Sequence, residues 1–291
     1  MDAAERRHLL GLAYRMLGTV ADAEDAVQET YVRYYRLSDA EREAIVERRA
    51  WLTRVAGRVC LDVLGSARRR REHYVGEWLP EPLPAHAEGS PDPLERVSLD
   101  ESVSTALLVV LETLTPAERV AWVLHEVFAL PWADVAEVVG RSPAACRQLA
   151  TSARRRIREG RAVATPRARH DAVVRTFVDA CRGGDLSALL AVLDPAVELR
   201  SDGGGVVTAA RRPVLGADRV ARFVLGTIAK SPDTVVVERT TGDGTGLVLE
   251  RARAVVGVVN LGVAGDAVSD VWIVLNPEKL GAWSAPAVSP P

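Results

Sequence analysis

Lysine, cysteine and long apolar runs are all scarce in this 291-residue chain. The only lysines are Lys230 and Lys279, so nearly all positive charge is arginine, which reads as GC-rich coding. The three cysteines, Cys60, Cys146 and Cys181, lie far apart and form no CxxC pair. That excludes a disulfide framework and a zinc site of ordinary spacing, and leaves buried thiols. No metal or cofactor is expected. No stretch approaches the ~18 apolar residues of a membrane span, and the N-terminus lacks a signal-peptide pattern. A cytoplasmic protein with no membrane partner is expected. Histidine is also sparse: His170 is the only one in the last third, at the edge of that segment, so a carboxylate–histidine pair is hard to build there.

What is present is charge segregation. The net charge is −2. Residues 51–75 hold six arginines against Asp62 and Glu72, and residues 141–170 hold nine against Glu159 alone. Between them, residues 76–102 hold seven acids and one base, Arg96. Two basic blocks with an acidic spacer suggest two contacts with a polyanion.

Apolar spacing predicts helices over much of 5–73: Leu9, Leu10, Ala13, Met16, Leu17 and Val20 recur with helical period. Asp22 is a plausible N-cap for a second helix through Tyr35, and a third starts near Arg49. Residues 75–98 hold five prolines and read as a linker. Helix resumes from Leu99 to about Leu114, and Thr115-Pro116 caps the next. After 165 the chain carries two helices, His170–Cys181 and Leu186–Leu193. Strand candidates follow at Val235–Arg239, Gly246–Arg253, Val255–Val259 and Val268–Leu275, with Gly265-Asp266 as a hairpin turn. The expected architecture is multidomain: an all-α module (1–73), a linker (74–98), a second all-α module with a helix-turn-helix (99–164), and an α+β domain with a curved antiparallel sheet (165–291).

Residues 131–158 have helix-turn-helix form. Gly140 allows a left-handed turn, Ser142 caps the second helix and Pro143 takes its first position. Val135, Val138, Val139, Cys146 and Leu149 are the candidate core. Ser142, Ala144, Ala145, Arg147, Gln148, Thr151 and Ser152 are left for the major groove. Arg147 and Gln148 suit guanine and adenine edges, and Arg154, Arg155, Arg156 and Arg158 suit phosphates. A helical hairpin with a solvated basic face is the bland alternative. The stretch Leu114–Arg119 through Ile157, with Gly140-Arg141-Ser142 and Cys146-Arg147-Gln148-Leu149, resembles region 4 of extracytoplasmic-function (ECF) RNA polymerase σ factors. The resemblance implies binding of the −35 promoter element. Ser152 stands where that pattern has arginine.

Asp22–Arg33 resembles σ region 2.2, which implies that Asp25, Gln28 and Glu29 face the β′ clamp helices of RNA polymerase core. Arg49–Val55, followed by Asp62 and Arg68, Arg69, Arg70 and Arg71, resembles regions 2.3 and 2.4. Opening the −10 element needs an unstacked base to be held and a basic track for the single strand. Trp51, Arg54, Arg58 and Arg68–Arg71 are the candidates; Trp51 serves equally as a core anchor. Gly57-Arg58 replaces the family's usual Thr-Asn.

Trp78-Leu79-Pro80-Glu81-Pro82 places an apolar ring on a proline-stiffened linker, the mark of a docking peptide. With Asp202-Gly203-Gly204-Gly205 and Asn276-Pro277-Glu278-Lys279-Leu280, it resembles the ECF41, or SigJ-like, subgroup. That subgroup fuses σ to a SnoaL-like domain of the NTF2-like cone fold. The resemblance implies a σ factor that directs polymerase to promoters, controlled in cis by its C-terminal domain and without catalytic residues. Two other readings stay open: a SnoaL-type isomerase or cyclase with Asp202 as base, and a one-component ligand-responsive regulator. A small-molecule ligand in the C-terminal domain is left open with them.

Overall fold

The computed structural model describes residues 2–71, 74–85, 104–160 and 165–283, with the side chains of 67–71 excepted. The expected contacts of the Arg68–Arg71 side chains and the helical reading of 99–103 lie outside the described residues. Two compact units result. Residues 2–71 and 107–160 build the first; 74–85, 104–106 and 165–283 build the second. Of the proline-rich segment, the described residues 74–85 therefore fold with the C-terminal sequence.

The first unit is helical. Helix α1 (Ala3–Leu17) is capped by Asp2 and stopped by Gly18, at φ 81°. Helix α2 (Val20–Tyr35) is capped by Thr19, not by Asp22 as its sequence suggests. The Thr19 hydroxyl accepts the Asp22 amide and donates to the Asp22 carboxylate, so Asp22 lies inside the first turn. Short α3 (Asp39–Glu43) and long α4 (Arg48–Arg71) follow. Leu9, Leu10, Met16, Ala26, Leu52 and Cys60 are almost wholly buried between α1, α2 and α4. Helix α5 (Thr105–Glu112) begins in the second unit and continues in the first. A reciprocal capping box between Thr115 and Glu118 starts α6 (Pro116–Trp122). A π-helical turn, Val123–Val127, leads to α7 (Trp132–Val139) and α8 (Pro143–Gly160). Arg119, 3% exposed, donates to Met16 O at 2.8 Å and to Glu112 at 2.6 Å. Burial lowers its pKa to about 9.

In the second unit, α9 (Arg167–Gly183) and α10 (Leu186–Val192) precede a six-stranded sheet of order β2-β1-β6-β5-β4-β3. Its strands are β1 (Leu193–Asp202), β2 (Val214–Leu215), β3 (Val235–Thr241), β4 (Gly244–Arg251), β5 (Ala254–Ala264) and β6 (Ala267–Val274). Helix α11 (Ala217–Ala229) lies between β2 and β3 in the chain. The expected antiparallel sheet is corrected to a mixed one, because β1 and β6 run parallel. The hairpins of the last four strands set only their mutual pairing. The long excursion between β1 and β6 leaves those two free to align in the same direction. Gly265-Asp266 does turn the final hairpin. Val174, Phe177 and Leu189 of the helices, with Val220 and Ala221 of α11, pack on Val197, Leu199, Leu261, Val268 and Val271 of the sheet.

The first unit contains a proton-sensitive chain of contacts. Thr53 donates to Arg49 O at 2.7 Å, and His8 Nε2 lies 3.0 Å from the Thr53 hydroxyl. Arg49 lies 2.9 Å from His8 Nδ1, an arrangement that requires a neutral imidazole accepting at Nδ1. Burial, then Arg49 and Arg15, lowers the His8 pKa from 6.5 to about 4. The unfolded chain therefore binds this proton first. The unit should lose stability as pH falls from 6.5 towards 4, and keep it above 6.5. Urea titrations across that window should show the loss, and it should shrink in His8→Gln.

Candidate nucleic-acid interface and linker dock

The helix-turn-helix is set by its turn. Gly140 sits at φ 70°, and its amide bonds to Ala136 O. The Ser142 hydroxyl accepts the Ala145 amide at 3.2 Å and so caps α8. Val135, Val138, Val139 and Cys146 are buried as their spacing suggests. Leu149 is only half-buried; Ala150, Ala153 and Ile157 complete the apolar stripe of α8 instead. The opposite face is open, with Ser142, Ala144, Arg147, Gln148, Thr151, Arg154 and Arg155 exposed and Ala145 half-buried. Ser152 departs from its expected place in the groove. It turns inward and donates to Glu118 at 2.7 Å. Arg156 also turns back, to Glu118 and Thr113 O, while Arg154 pairs with Glu126.

On α2, Asp25 and Gln28 are exposed and Glu29 is half-exposed, opposite buried Ala23, Ala26, Val27, Thr30 and Tyr31. Glu29 holds Arg33 at 2.9 Å. On α4, Trp51 is half-buried and stands edge-on to Tyr34, ring centres 5.7 Å apart. Arg54 is half-buried and Arg58 exposed, and both engage α7. Arg54 meets Asp134 at 3.4 Å and Glu137 at 3.6 Å, and Arg58 donates to Val138 O at 2.9 Å.

The second unit brings together residues far apart in sequence. Asp202 has no exposed surface. Its carboxylate accepts from Tyr74 Oη (2.5 Å), the Leu79 amide (3.0 Å), the Gly204 amide (2.9 Å) and Lys279 Nζ (2.7 Å). These bonds use the full capacity of a carboxylate, so Asp202 keeps no lone pair for a base's work. Its carbonyl takes the Leu275 and Asn276 amides. Lys279 also donates to Leu79 O at 2.6 Å, and its ammonium lies 4.0 Å from the Trp78 ring centre. Trp283 Nε1 bonds to Pro82 O at 2.7 Å, and Pro84 bridges to Thr241. Leu79, Pro80, Glu81 and Pro82 are buried. Gly204, at φ 66°, lies where a Cβ would come within 2.5 Å of Asn276. Pro277 and Glu278 form a single 3-10 turn with Lys279, capped by Asn276, and Leu280 is buried behind it. Gly203 and Gly205 complete the tight turn after β1: a Cβ on Gly203 would strike Val207 O, and Gly205 sits at φ 73°.

Motif reasoning missed Tyr74, Trp283, Asp243 and Asn260. Asp243 in the β3–β4 turn accepts the Thr105 amide at 2.9 Å, and Asn260 donates to the Thr105 hydroxyl at 2.8 Å. Burial raises the Asp243 pKa, with its bonds to Thr105 opposing. Single polar residues in turns and strands carry no sequence signal for such partners. His170, near the start of that segment, is buried, its Nε2 on Leu261 O at 3.0 Å and its Nδ1 3.3 Å from the Asp171 carboxylate.

Two helical modules, one ending in a helix-turn-helix with exposed arginine and glutamine, joined in one chain to a mixed-sheet domain, are the build of a DNA-binding regulator. The Sigma-70 region 2 family model matches residues 2–70, and the Sigma-70, region 4 model matches 104–157. The ECF RNA polymerase sigma factor SigJ of Mycobacterium tuberculosis (strain ATCC 25618 / H37Rv) is 45% identical over 229 residues, 78% of this chain and 72% of that protein. The probable ECF RNA polymerase sigma factor SigI of M. tuberculosis (strain CDC 1551 / Oshkosh) is 39% identical over 284 residues, covering 95% and 92%. The crystal structure of M. tuberculosis SigJ superposes with a TM-score of 0.78 at 36% identity, over 96% of this chain and 97% of that one. The chain belongs to the ECF RNA polymerase σ factors. It is a transcription initiation factor and not an enzyme, and its C-terminal domain has the SnoaL-like, NTF2-like fold. Among the described residues, no helix is long and apolar enough to cross a membrane.

Lys279 neutralises a carboxylate that has lost all its water. Lys279→Met should therefore cost the second unit about 3–5 kcal/mol, because Asp202 is left buried and unpaired. The pair Asp202→Asn with Lys279→Met should cost less than Lys279→Met alone. Urea unfolding monitored by tryptophan fluorescence distinguishes the two.

Proposed function

We propose that residues 1–73 of this σ factor bind the β′ clamp helices of polymerase core through Asp25, Gln28 and Glu29. The same module takes up the −10 single strand along the arginines of α4, and residues 99–164 read the −35 duplex. The carrying observation is the face of α8. Its apolar residues are buried, while Arg147 and Gln148 are exposed one turn after a capped, glycine-set start. That is how a recognition helix presents side chains to a major groove. The closed set of bonds around Asp202 supports a regulatory, not catalytic, C-terminal domain: the carboxylate is taken up by Tyr74 and the Leu79 amide of the linker, and by Gly204 and Lys279. No small-molecule ligand enters this reading.

Arg147→Ala should weaken binding to the preferred −35 sequence by about 1–3 kcal/mol and relax specificity at one position. Arg155→Ala should weaken all duplexes alike and lower the salt slope by about one. A promoter-library titration separates these effects; identical profiles refute the division of roles. Replacing Asp25, Gln28 and Glu29 by alanine should weaken association with core polymerase and leave duplex binding unchanged, as read in a pull-down titration. For the regulatory assignment the test is in vitro transcription with core polymerase. Output should change when the chain is cut before Asn276, and change differently when 166–291 is removed. Unchanged output from both truncations refutes control in cis.

A further inference from the structure

We infer that, in the free protein, α7 occupies the nucleic-acid track of α4 as a protein substitute for a DNA strand. The contact must open before single-stranded DNA can take Arg54 from its acids and Arg58, itself exposed, from its bond to α7. The inference rests on the reading of those arginines as part of the −10 track.

Three observations converge on one face of α4. Residues 54, 57 and 58 are three and four apart, so they lie together on that face. Arg54 is 27% exposed and set between the carboxylates of Asp134 and Glu137, at 3.4 and 3.6 Å. Arg58 donates to Val138 O at 2.9 Å, in the last turn of α7. Carbonyls at a helix C-terminus lack intrahelical partners and carry the negative end of the dipole. Two carboxylates and a terminal carbonyl present to the arginines what a strand presents: anionic and neutral oxygen acceptors.

Gly57 lets the two helices approach. It is buried, and a Cβ there would lie 3.2 Å from both Leu124 and Val138. Both residues serve the packing of α7: the glycine by yielding space, the arginine by bonding to the backbone. The ion pairs are partly solvated, Glu137 being 71% exposed. Pairs of this kind are weak and salt-screened, so a polyanion can displace them. Arg119, bonded across the same unit to Met16 O, adds to the closed state.

The test is made on the full chain with a fluorescein-labelled single-stranded 20-mer of mixed sequence, read by anisotropy at fixed salt. The variant Asp134→Asn with Glu137→Gln should bind the oligonucleotide about five-fold or more tightly than wild type. Gly57→Ala, which disturbs the contact by size and not by charge, should shift affinity in the same direction. Neutralising two exposed acids of α3 that meet neither arginine, Asp39→Asn with Glu43→Gln, controls for net charge and should give a smaller gain. Affinity for a −35 duplex reports that α8 remains folded. Equal oligonucleotide affinity in wild type and the Asp134/Glu137 variant, at whatever level, overturns the inference. So does an equal gain from the α3 control. If Arg54→Ala and Arg58→Ala reduce oligonucleotide binding in wild type while the acid variant changes nothing, the track stands and the occlusion falls. If they leave binding unchanged in both backgrounds, the track itself falls.

Discussion

The second unit is organised around one buried charge. A carboxylate without exposed surface is costly unless its charge and lone pairs are all met. At Asp202 they are met by a tyrosine and a backbone amide from the linker, a glycine amide from the turn after β1, and a lysine from the turn after β6. None of these groups can leave without exposing the cost of the others. The motif residues are thereby explained by a shared task. Gly204 is glycine because Asn276 lies where its side chain would be, and Asn276 is there because it caps the turn that aims Lys279 inward. The Trp78 ring also lies against the ammonium, 4.0 Å from its centre. A docking peptide of this kind is held by electrostatic closure as much as by its apolar ring.

In the first unit the coupling is through arginine and helix ends. Arg119 from α6 bonds to Met16 O near the end of α1, and Arg58 from α4 bonds to Val138 O near the end of α7. The two sequence-distant modules thus exchange caps. They differ in burial. Arg119 is almost without solvent; Arg58 is exposed. The first contact is suited to hold, the second to yield.

Much of this was legible from residues alone, where the signal is local. The Gly140–Pro143 turn, the Thr115 cap and the Gly265-Asp266 hairpin each depend on one or two residues with special backbone or capping chemistry, and each is found as read. Errors arose where two local signals compete. Thr19 and Asp22 are both capping residues three apart, and only the bond from the Asp22 amide to the threonine hydroxyl decides between them. Strand β1 alternates Val197, Leu199 and Ser201 inward, but Pro195 hides the pattern, and the pairing with β6 breaks register there. The turn at Ala252-Arg253 has positive φ at both residues with no glycine or asparagine to announce it. Nor could sequence show that Arg54 and Arg58 face acids on α7, since that pairing exists only once helices eighty residues apart are packed.

Were residues 72–104 a free coil, their ends would wander over about 30 Å root-mean-square. The second unit removes that freedom at two places. Residues 74–85 are held by Asp202, Lys279, Trp283 and a bridge to Thr241. Thr105, the first residue of α5, is held by Asp243 and Asn260. The anchors act on opposite ends of the linker, so releasing either restores part of the chain's entropy and releasing both restores most of it. The second unit needs neither a catalytic group nor a ligand to grip the spacer at these places. It needs only that its grip be stronger than the entropy it suppresses, and the buried pair at Asp202 supplies that strength.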